Sequence, residues 1–491
     1  MTAGAPALSH AAHATRGSGI RLAAELGSRL FAVATSFLLA AGLGVSAFGL
    51  FAAVSSVAVI TAELAELGLQ QTAARALVAG TLRLRDMVRA RLLLSGGLVL
   101  VTLAVPLVPA AASSLGRTAP GEWGRLLPPL ILYFGLSGWS EFLGVALRAR
   151  GHRVAEAVVL LALRAFTLGA VAAALAVRAS LPGLAWAHVA ASLAALAVSA
   201  LLSRGAYAAG ASVPAPHAAQ GVGAVLRASL PLAVNGALAL ISLRVELLVV
   251  FWARGSWAAG LFGAAVKIVE SLNGVPAAIA AGAMPALTRE ALQHGAGGDP
   301  ATQGAARART AATVALLAVP AAAGLALLAP GVVQLLGADY AGAAPALRIL
   351  ALAVVALFMN CVLLHALIAS DHAAWLPVLT AVRVGFAALA AAALVPRFGV
   401  AGAAAGFLGA ELLLLALAAR ACRSTGFAVP LAAPLGAALL ATLPMAVTVA
   451  ALGAGTIASV AAGAAVYAAT LAGAWVLMRQ PLLRLLGAET A

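Results

Sequence analysis

Long apolar runs follow one another through almost the whole chain, and they leave few ways for it to fold. A helix needs about 20 apolar residues to cross a ~30 Å hydrocarbon layer at about 1.5 Å per residue. Glycine, proline and arginine separate the runs. We predict fourteen transmembrane helices, at 22–44, 48–74, 91–112, 127–148, 154–177, 182–203, 228–252, 258–286, 310–336, 345–370, 373–396, 399–420, 428–452 and 455–478. The predicted fold class is all-α, a polytopic membrane protein.

The composition supports a membrane protein and argues against a nucleic-acid partner. Of the 491 residues, 64% are hydrophobic and 9% are charged, far from the values of soluble domains. The net charge of +15 comes from arginines that cluster between the apolar runs, where they orient the chain in the bilayer. Alternate loops hold 19 Lys and Arg residues on one side and six on the other. This asymmetry predicts that both termini are cytoplasmic.

Three short motifs recur in the same order, at offsets of 211, 220 and 216 residues. GLF at 49–51 recurs at 260–262, ALRARGH at 146–152 is echoed by ALIASDH at 366–372, and GLAWA at 183–187 by GVAGA at 399–403. The offset spans six helices, an even number, so the two halves share one orientation about an axis along the membrane normal. We therefore predict a cytoplasmic tail (1–21), an N-lobe (22–203), a cytoplasmic linker (204–227), a C-lobe (228–420), two further helices (428–478) and a cytoplasmic tail (479–491).

Five cations interrupt the predicted spans. A charge inside a membrane span costs about 2.5–3.5 kcal/mol even on the lenient insertion scale, so such residues face a cavity by default. The hairpin of residues 227–290, with its short turn at 254–257, is accordingly predicted to be one wall of a polar cavity. The five are Arg29, Arg164, Arg244, Lys267 and Arg383.

The competing interpretation of these charges is ion pairing that only holds helices together. Glu25 and Arg29 are spaced i,i+4, and Lys267 and Glu270 are spaced i,i+3, so each pair can meet on one helix face. Arg244 and Glu246 are two residues apart and cannot face each other on a regular helix. The arginines of the fifth and eleventh spans have no acidic residue within a turn.

Several segments resemble the polysaccharide-exporting flippases of the multidrug/oligosaccharidyl-lipid/polysaccharide (MOP) exporter superfamily. They are Arg29 with GVSAFGLF at 44–51 and AELGLQQTAAR at 65–75, SLP at 229–231, GLFGAAVKIVE at 260–270, and LVPRFGVAGAAAG at 394–406. The resemblance implies two six-helix lobes around a central cavity and two additional C-terminal helices. It also implies alternating-access transfer of a polyprenyl-diphosphate-linked oligosaccharide from the inner to the outer leaflet of a bacterial cytoplasmic membrane.

That substrate assigns roles to the intramembrane charges. The planar fork of arginine suits a diphosphate because it donates bidentately, so the five cations above are the predicted substrate-binding residues. Glu270 and Glu411 are the candidates for ion coupling, since a carboxylate in a dry site can take up a proton and bias one of two cavity states. The competing interpretation is that these carboxylates neutralise the arginines.

Two other function classes are considered. A multidrug or organic-cation antiporter of the same superfamily would have a cavity dominated by carboxylates and aromatics. A membrane-embedded glycan polymerase would need a large extramembrane loop or a clustered acidic motif. No Walker, dinucleotide or HExxH motif occurs in the sequence. We expect no enzyme activity, no catalytic residue, no cofactor and no metal. The expected partners are the lipid-linked glycan, the lipid bilayer, and a polysaccharide polymerase with its export machinery.

Overall fold

The structure is a computed structural model, and it describes residues 5–79, 81–104, 120–208, 221–242, 244–295, 304–452 and 455–485. Within these residues every regular element is a helix, as the sequence predicts. The chain divides into two compact units, unit 1 (residues 1–260) and unit 2 (residues 261–491).

Unit 1 is built around one long helix, α5. The helices that begin in this unit are α1 (Ala5–Leu43), α2 (Val45–Glu66), α3 (Leu69–Ala79), α4 (Leu84–Ala104), α5 (Pro120–Ala149), α6 (Arg153–Ala176), α7 (Leu181–Ala208), α8 (Val222–Ser242) and α9 (Val245–Leu272). Helix α5 packs against α2, α3, α4, α6 and α7, while α1 packs on α6. The short helix α3 buries Leu69, Ala73 and Leu77 against Phe142 of α5 and Val225 of α8.

Unit 2 has a corresponding central helix, α13. Its helices are α10 (Gly274–Gly295), α11 (Ala305–Leu327), α12 (Ala329–Gln334), α13 (Ala344–Ala369), α14 (Trp375–Ser424), α15 (Ala432–Leu452) and α16 (Thr456–Leu485). Helix α13 packs against α10, α11 and α14, and the last two helices pack on α11. The buried contact between these last helices consists of Met445, Val449 and Tyr467. The Tyr467 hydroxyl donates a hydrogen bond to the Leu316 carbonyl at 2.6 Å.

The number of membrane crossings depends on how two double-length helical runs are divided. The described residues contain 12 candidate spans, or 13 with the bent helix α8. One run covers Val245–Gln293 and the other, α14, has 50 residues, about twice the length that crosses a bilayer. Each contains a glycine outside helical geometry, Gly255 (φ 82°) and Gly399 (φ 57°). The described residues therefore give 12 or 13 spans where the sequence predicts fourteen, and the two double-length runs account for the difference.

The structure differs from the predicted boundaries mainly by extending helices into predicted loops. Helix α1 begins at Ala5, inside the segment predicted as a tail, although the part apolar enough to span a membrane is Ala23–Leu43. Helices α7 and α10 likewise continue to Ala208 and Gly295. The extension of α1 is rich in alanine, and that of α10 contains leucine, arginine, glutamate and glutamine. All of these residues have high helix propensity, so helix continues after the apolar pattern has stopped. The end of the third predicted span and the first half of the loop that follows it (residues 105–119) lie outside the described residues.

Two of the repeated motifs form corresponding structures. In ALRARGH, the His152 amide donates to the Leu147 carbonyl at 3.0 Å, with Gly151 at φ 85°. In ALIASDH, the His372 amide donates to the Leu367 carbonyl at 2.8 Å, with Asp371 at φ 62°. Both are helix ends closed by a left-handed residue. This local likeness supports the two-half repeat, while the predicted lobe boundaries remain a prediction.

The GLF motifs mark a very close helix crossing within unit 1. A Cβ atom added at Gly49 of α2 would lie 1.9 Å from the Ser256 carbonyl oxygen of α9. One added at Gly260 would lie 2.0 Å from the Val45 carbonyl oxygen. Only glycine permits this backbone-to-backbone approach. The repeated glycines are therefore required by the crossing of α2 and α9.

Candidate functional site

Unit 1 contains a polar cavity of about 350 Å³ that opens among α1, α3, α5 and α6. Each helix places polar side chains on the face turned toward the cavity, while its other residues are largely apolar. Two of the five predicted substrate-binding residues, Arg29 and Arg164, line it. The complete lining is Glu25, Ser28, Arg29, Gln70, Glu141, Gly144, Val145, Arg148, Glu156, Val159, Leu160, Leu163 and Arg164.

The charges of this cavity are balanced in pairs. Arg29 lies 3.1 Å from Glu25, as their i,i+4 spacing predicts. Arg148 of α5 lies 3.2 Å from Glu156 of α6. Arg164 of α6 lies 3.7 Å from Glu141 of α5. The three guanidinium groups thus face three carboxylates, so the lining carries no formal net charge. An array of three unpaired cations among apolar helices would be costly, and the carboxylates remove that cost.

Arg164 is held more loosely than the other two arginines. Its Nη2 atom is 3.7 Å from Glu141 Oε1, beyond hydrogen-bonding distance, and its side chain is 36% exposed. Glu141 has a second partner, because Gln70 Nε2 donates to its Oε2 atom at 3.1 Å. If Arg164 turned toward an anion, Glu141 would keep a hydrogen bond. The arrangement can therefore offer one guanidinium to a ligand without leaving a carboxylate unsatisfied.

In unit 2, Arg383 and Glu411 form a closed ion pair on the two limbs of α14. Arg383 Nη2 and Nε lie 2.7 and 2.8 Å from Glu411 Oε1. Asn360 of α13 donates from Nδ2 to Glu411 Oε2 at 2.8 Å. Both charged side chains are 5% exposed, and the guanidinium also lies over the Phe407 ring. The turn at Gly399 brings the two limbs together, so residues 28 positions apart meet.

The remaining predicted site residues, Lys267, Glu270 and Arg244, do not line the cavity of unit 1. Lys267 Nζ is 2.7 Å from Glu270 Oε2, as their i,i+3 spacing predicts. Arg244 is at the break between α8 and α9, where its amide donates to the Ile241 carbonyl at 2.9 Å. Its Nε atom is buried and has no acceptor among the described residues. Within the described part of each unit, the structure brings Arg29 and Arg164 to one cavity in unit 1, and it pairs Lys267 with Glu270 and Arg383 with Glu411 in unit 2.

The charge count places Arg91 and Arg307 among the cytoplasmic residues, and the structure shows that both are buried and form ion pairs. Arg91 of α4 pairs bidentately with Glu66 at the end of α2, and its guanidinium lies 5.2 Å from the Phe142 ring centroid. Arg307 of α11 pairs with Glu290 and lies 4.1 Å from the Phe427 ring centroid. The two arginines are 216 residues apart, the offset of the third repeated motif. That shared offset was the available signal that they occupy corresponding positions.

No group of three or more His, Cys, Asp and Glu residues that could hold a metal ion occurs within the described parts of the chain. The polar groups that line the cavity are guanidinium, carboxylate, amide and hydroxyl groups, which can bind and orient charged or hydroxylated ligands.

A sequence profile of the family described as "Polysaccharide biosynthesis protein" matches residues 14–290. The chain belongs to this family. The whole lining of the cavity in this polysaccharide biosynthesis protein lies inside the matched stretch, whereas the Arg383–Glu411 pair lies beyond it. No curated protein sequence matches the chain.

Several solved structures share this fold over most of the length of the chain. The lipid II flippase MurJ, in an inward closed conformation, has a TM-score of 0.71 and 12% identity, covering 94% of this chain and 98% of that chain. An inward-facing multidrug resistance MATE family transporter of the MOP superfamily has a TM-score of 0.60 and 16% identity, covering 81% and 95%. A MOP superfamily transporter from Pyrococcus furiosus has a TM-score of 0.54 and 13% identity, covering 84% and 96%.

At these identities the likeness shows the fold, which is that of the MOP superfamily. Family and fold together confirm the resemblance found in the sequence and make the chain a multi-pass membrane protein of a transporter and flippase class. The individual substrate-binding and coupling residues stay predictions.

Proposed function

We propose that the protein is a flippase for a polyprenyl-diphosphate-linked oligosaccharide in a bacterial cytoplasmic membrane, with both termini cytoplasmic. It would move the lipid from the inner to the outer leaflet by alternating access and supply a polymerase and export machinery for cell-surface polysaccharide. One observation carries the proposal: the stretch that matches the polysaccharide biosynthesis family encloses a cavity with three arginines among apolar helices.

The paired charges suit a site that is alternately empty and occupied by an anion. When the cavity is empty, each guanidinium is neutralised by a carboxylate and the site tolerates its apolar surroundings. A diphosphate competes for the same guanidinium donors, which match its oxygens bidentately. Arg164 is the first contact we propose, because it is the most loosely paired, with Arg29 as the second. Arg244, Lys267 and Arg383 as further contacts, and Glu270 and Glu411 as coupling residues, remain proposals.

The direct test is leaflet translocation in proteoliposomes. A polyprenyl-diphosphate oligosaccharide carries a label that an impermeant reagent reaches only from outside. We expect transfer by the native protein and a loss of about 10-fold or more in Arg164→Gln, because a hydrogen bond to a charged group contributes about 1.5–3 kcal/mol. Arg125→Gln, which changes an exposed arginine outside the cavity, is the matched control. Native protein that moves no lipid-linked sugar would reject the flippase.

A second candidate is an organic-cation antiporter, which the three carboxylates of the lining and the MATE-like fold favour. Glu141→Gln separates the two functions. A flippase loses a competitor for Arg164 and keeps binding its anion, whereas a cation antiporter loses a ligand for its substrate. Accumulation of an organic cation against a proton gradient, abolished by Glu141→Gln and retained in Arg164→Gln, would establish the antiporter instead.

A further inference from the structure

A second recess, on another face of unit 1, has a different character from the charged cavity. It is an open groove of about 650 Å³ between α3 and α8. Its floor is mainly alanine and leucine, with two threonines and a single charged residue, Arg75. The complete lining is Thr72, Arg75, Ala76, Ala79, Thr81, Leu82, Ala224, Ala228 and Leu232.

The segments of the chain around the groove are rich in arginine and contain few acidic residues. Arg75 is exposed and has no ion-pair partner among the described residues. Arg83 and Arg85 lie one and three positions after the lining residue Leu82. Arg227 directly precedes the lining residue Ala228. No acidic residue lines the groove. The nearest acid along the chain, Asp86, is buried and lies 3.8 Å from an arginine of its own helix.

The groove lies where membrane-spanning helices end. Helix α2 ends at Glu66, just before α3, and α4 begins at Leu84, just after the groove residues Thr81 and Leu82. On the opposite wall, α8 bends by 48° between the limbs Val222–Leu230 and Leu232–Ser242. The lining residues Ala224 and Ala228 lie on one limb and Leu232 on the other. Span ends lie at the depth of the lipid headgroups, so a groove at this position would hold its arginine at the level of the lipid phosphates.

We propose that this groove binds an anionic phospholipid of the surrounding bilayer. The phosphate contacts Arg75, and the glycerol and upper acyl segments lie along the alanine floor. The amphipathic lining favours a lipid over free phosphate, because soluble phosphate gains nothing from the six apolar side chains. The excess of arginine favours an anionic over a zwitterionic headgroup. The site is distinct from the polar cavity and does not depend on the transported substrate.

Native mass spectrometry of the purified full-length protein tests this inference. The protein is incubated with phosphatidylglycerol, phosphatidylcholine or inorganic phosphate, and retained adducts are counted. We expect preferential retention of phosphatidylglycerol, reduced about fivefold in Arg75→Gln, the factor that corresponds to ~1 kcal/mol per arginine near an anionic lipid. Ala228→Leu, at an exposed alanine of the groove, should reduce it by filling the space. Arg204→Gln, at an exposed arginine outside the groove, is the control.

Three results would overturn the proposal. Equal retention of phosphatidylcholine and phosphatidylglycerol would remove the anionic preference, and unchanged retention in both groove variants would place the lipid elsewhere. Tighter retention of a polyprenyl diphosphate, competing with phosphatidylglycerol and lost in Arg75→Gln, would assign the groove to the transported lipid. Size-exclusion profiles and melting temperatures of all variants show whether each one is folded.

Discussion

Variants of the Arg383–Glu411 pair can show whether the two residues only stabilise the fold or also act in substrate binding or ion coupling. Arg383 reaches Glu411 Oε1 with two nitrogens at 2.7 and 2.8 Å, and Asn360 occupies Oε2 at 2.8 Å. Both charged side chains are 5% exposed. Changing either residue to glutamine leaves the other charge buried without its partner, whereas changing both leaves two amides that can hydrogen bond to each other and to Asn360.

The expected energies follow from that burial. Removing one partner of a buried pair costs about 3–5 kcal/mol, while replacing both partners is often nearly neutral. We therefore expect Arg383→Gln and Glu411→Gln each to lower the free energy of unfolding by about 3–5 kcal/mol, and the double variant to return to within about 1 kcal/mol of the native value. With these values the coupling energy of the cycle is about 5 kcal/mol or more. Arg309→Gln, at an exposed arginine of α11, should change the stability little.

Unfolding in mixed micelles of increasing SDS content, followed by tryptophan fluorescence, measures these energies. Additive losses in the double variant would refute the coupled pair, and single losses below about 1 kcal/mol would refute its burial. Lipid translocation by the same four proteins then separates stability from transport. If the double variant regains both, the pair is structural. If the double variant regains stability but not lipid translocation, Arg383 or Glu411 has the predicted substrate or coupling role.

Three further variants test other contacts. Gly49→Ala should lower the melting temperature because its Cβ would lie 1.9 Å from a backbone oxygen, whereas Gly282→Ala, with nothing within 4 Å, should not. Gly49→Ala as stable as the native protein would contradict the close crossing of α2 and α9. Asp371→Val should cost about 1–2 kcal/mol because a β-branched residue resists its left-handed conformation, while Asp371→Gly should be tolerated; equal melting temperatures would show that this turn adapts. Tyr467→Phe should cost about 1 kcal/mol through the lost hydrogen bond, and an unchanged free energy of unfolding in SDS titration would argue against that bond.

The sequence predicted the ion pairs and turns that depend on residues close together in the chain. It did not predict the ion pairs that form between different helices. The Glu25–Arg29 pair follows from positions on one helix face, and so does the Lys267–Glu270 pair. The apolar runs and their glycine breaks gave the helices and the turns at Gly255 and Gly399. These features depend on residues within a few positions of one another.

The partners of the isolated arginines could not be found in this way. Arg164 has no acid within a turn because its carboxylate, Glu141, comes from the preceding helix. Arg383 meets Glu411 only because α14 reverses at Gly399. Pairing across helices depends on their rotation and depth, which the hydrophobic pattern of one helix does not encode. For the same reason, the sequence offered neutralisation by carboxylates as the competing interpretation without showing which carboxylate accompanies each arginine of the cavity.

The contact between Tyr467 and Leu316 has a consequence for how the protein is made. The two residues are 151 positions apart, and the bond joins the last helix to α11. During synthesis, α11 leaves the ribosome before α15 and α16 exist, so the contacts of Ala323 with these two helices can form only after both have entered the membrane. Unit 2 can therefore complete its packing only after the last helix of the chain has been inserted.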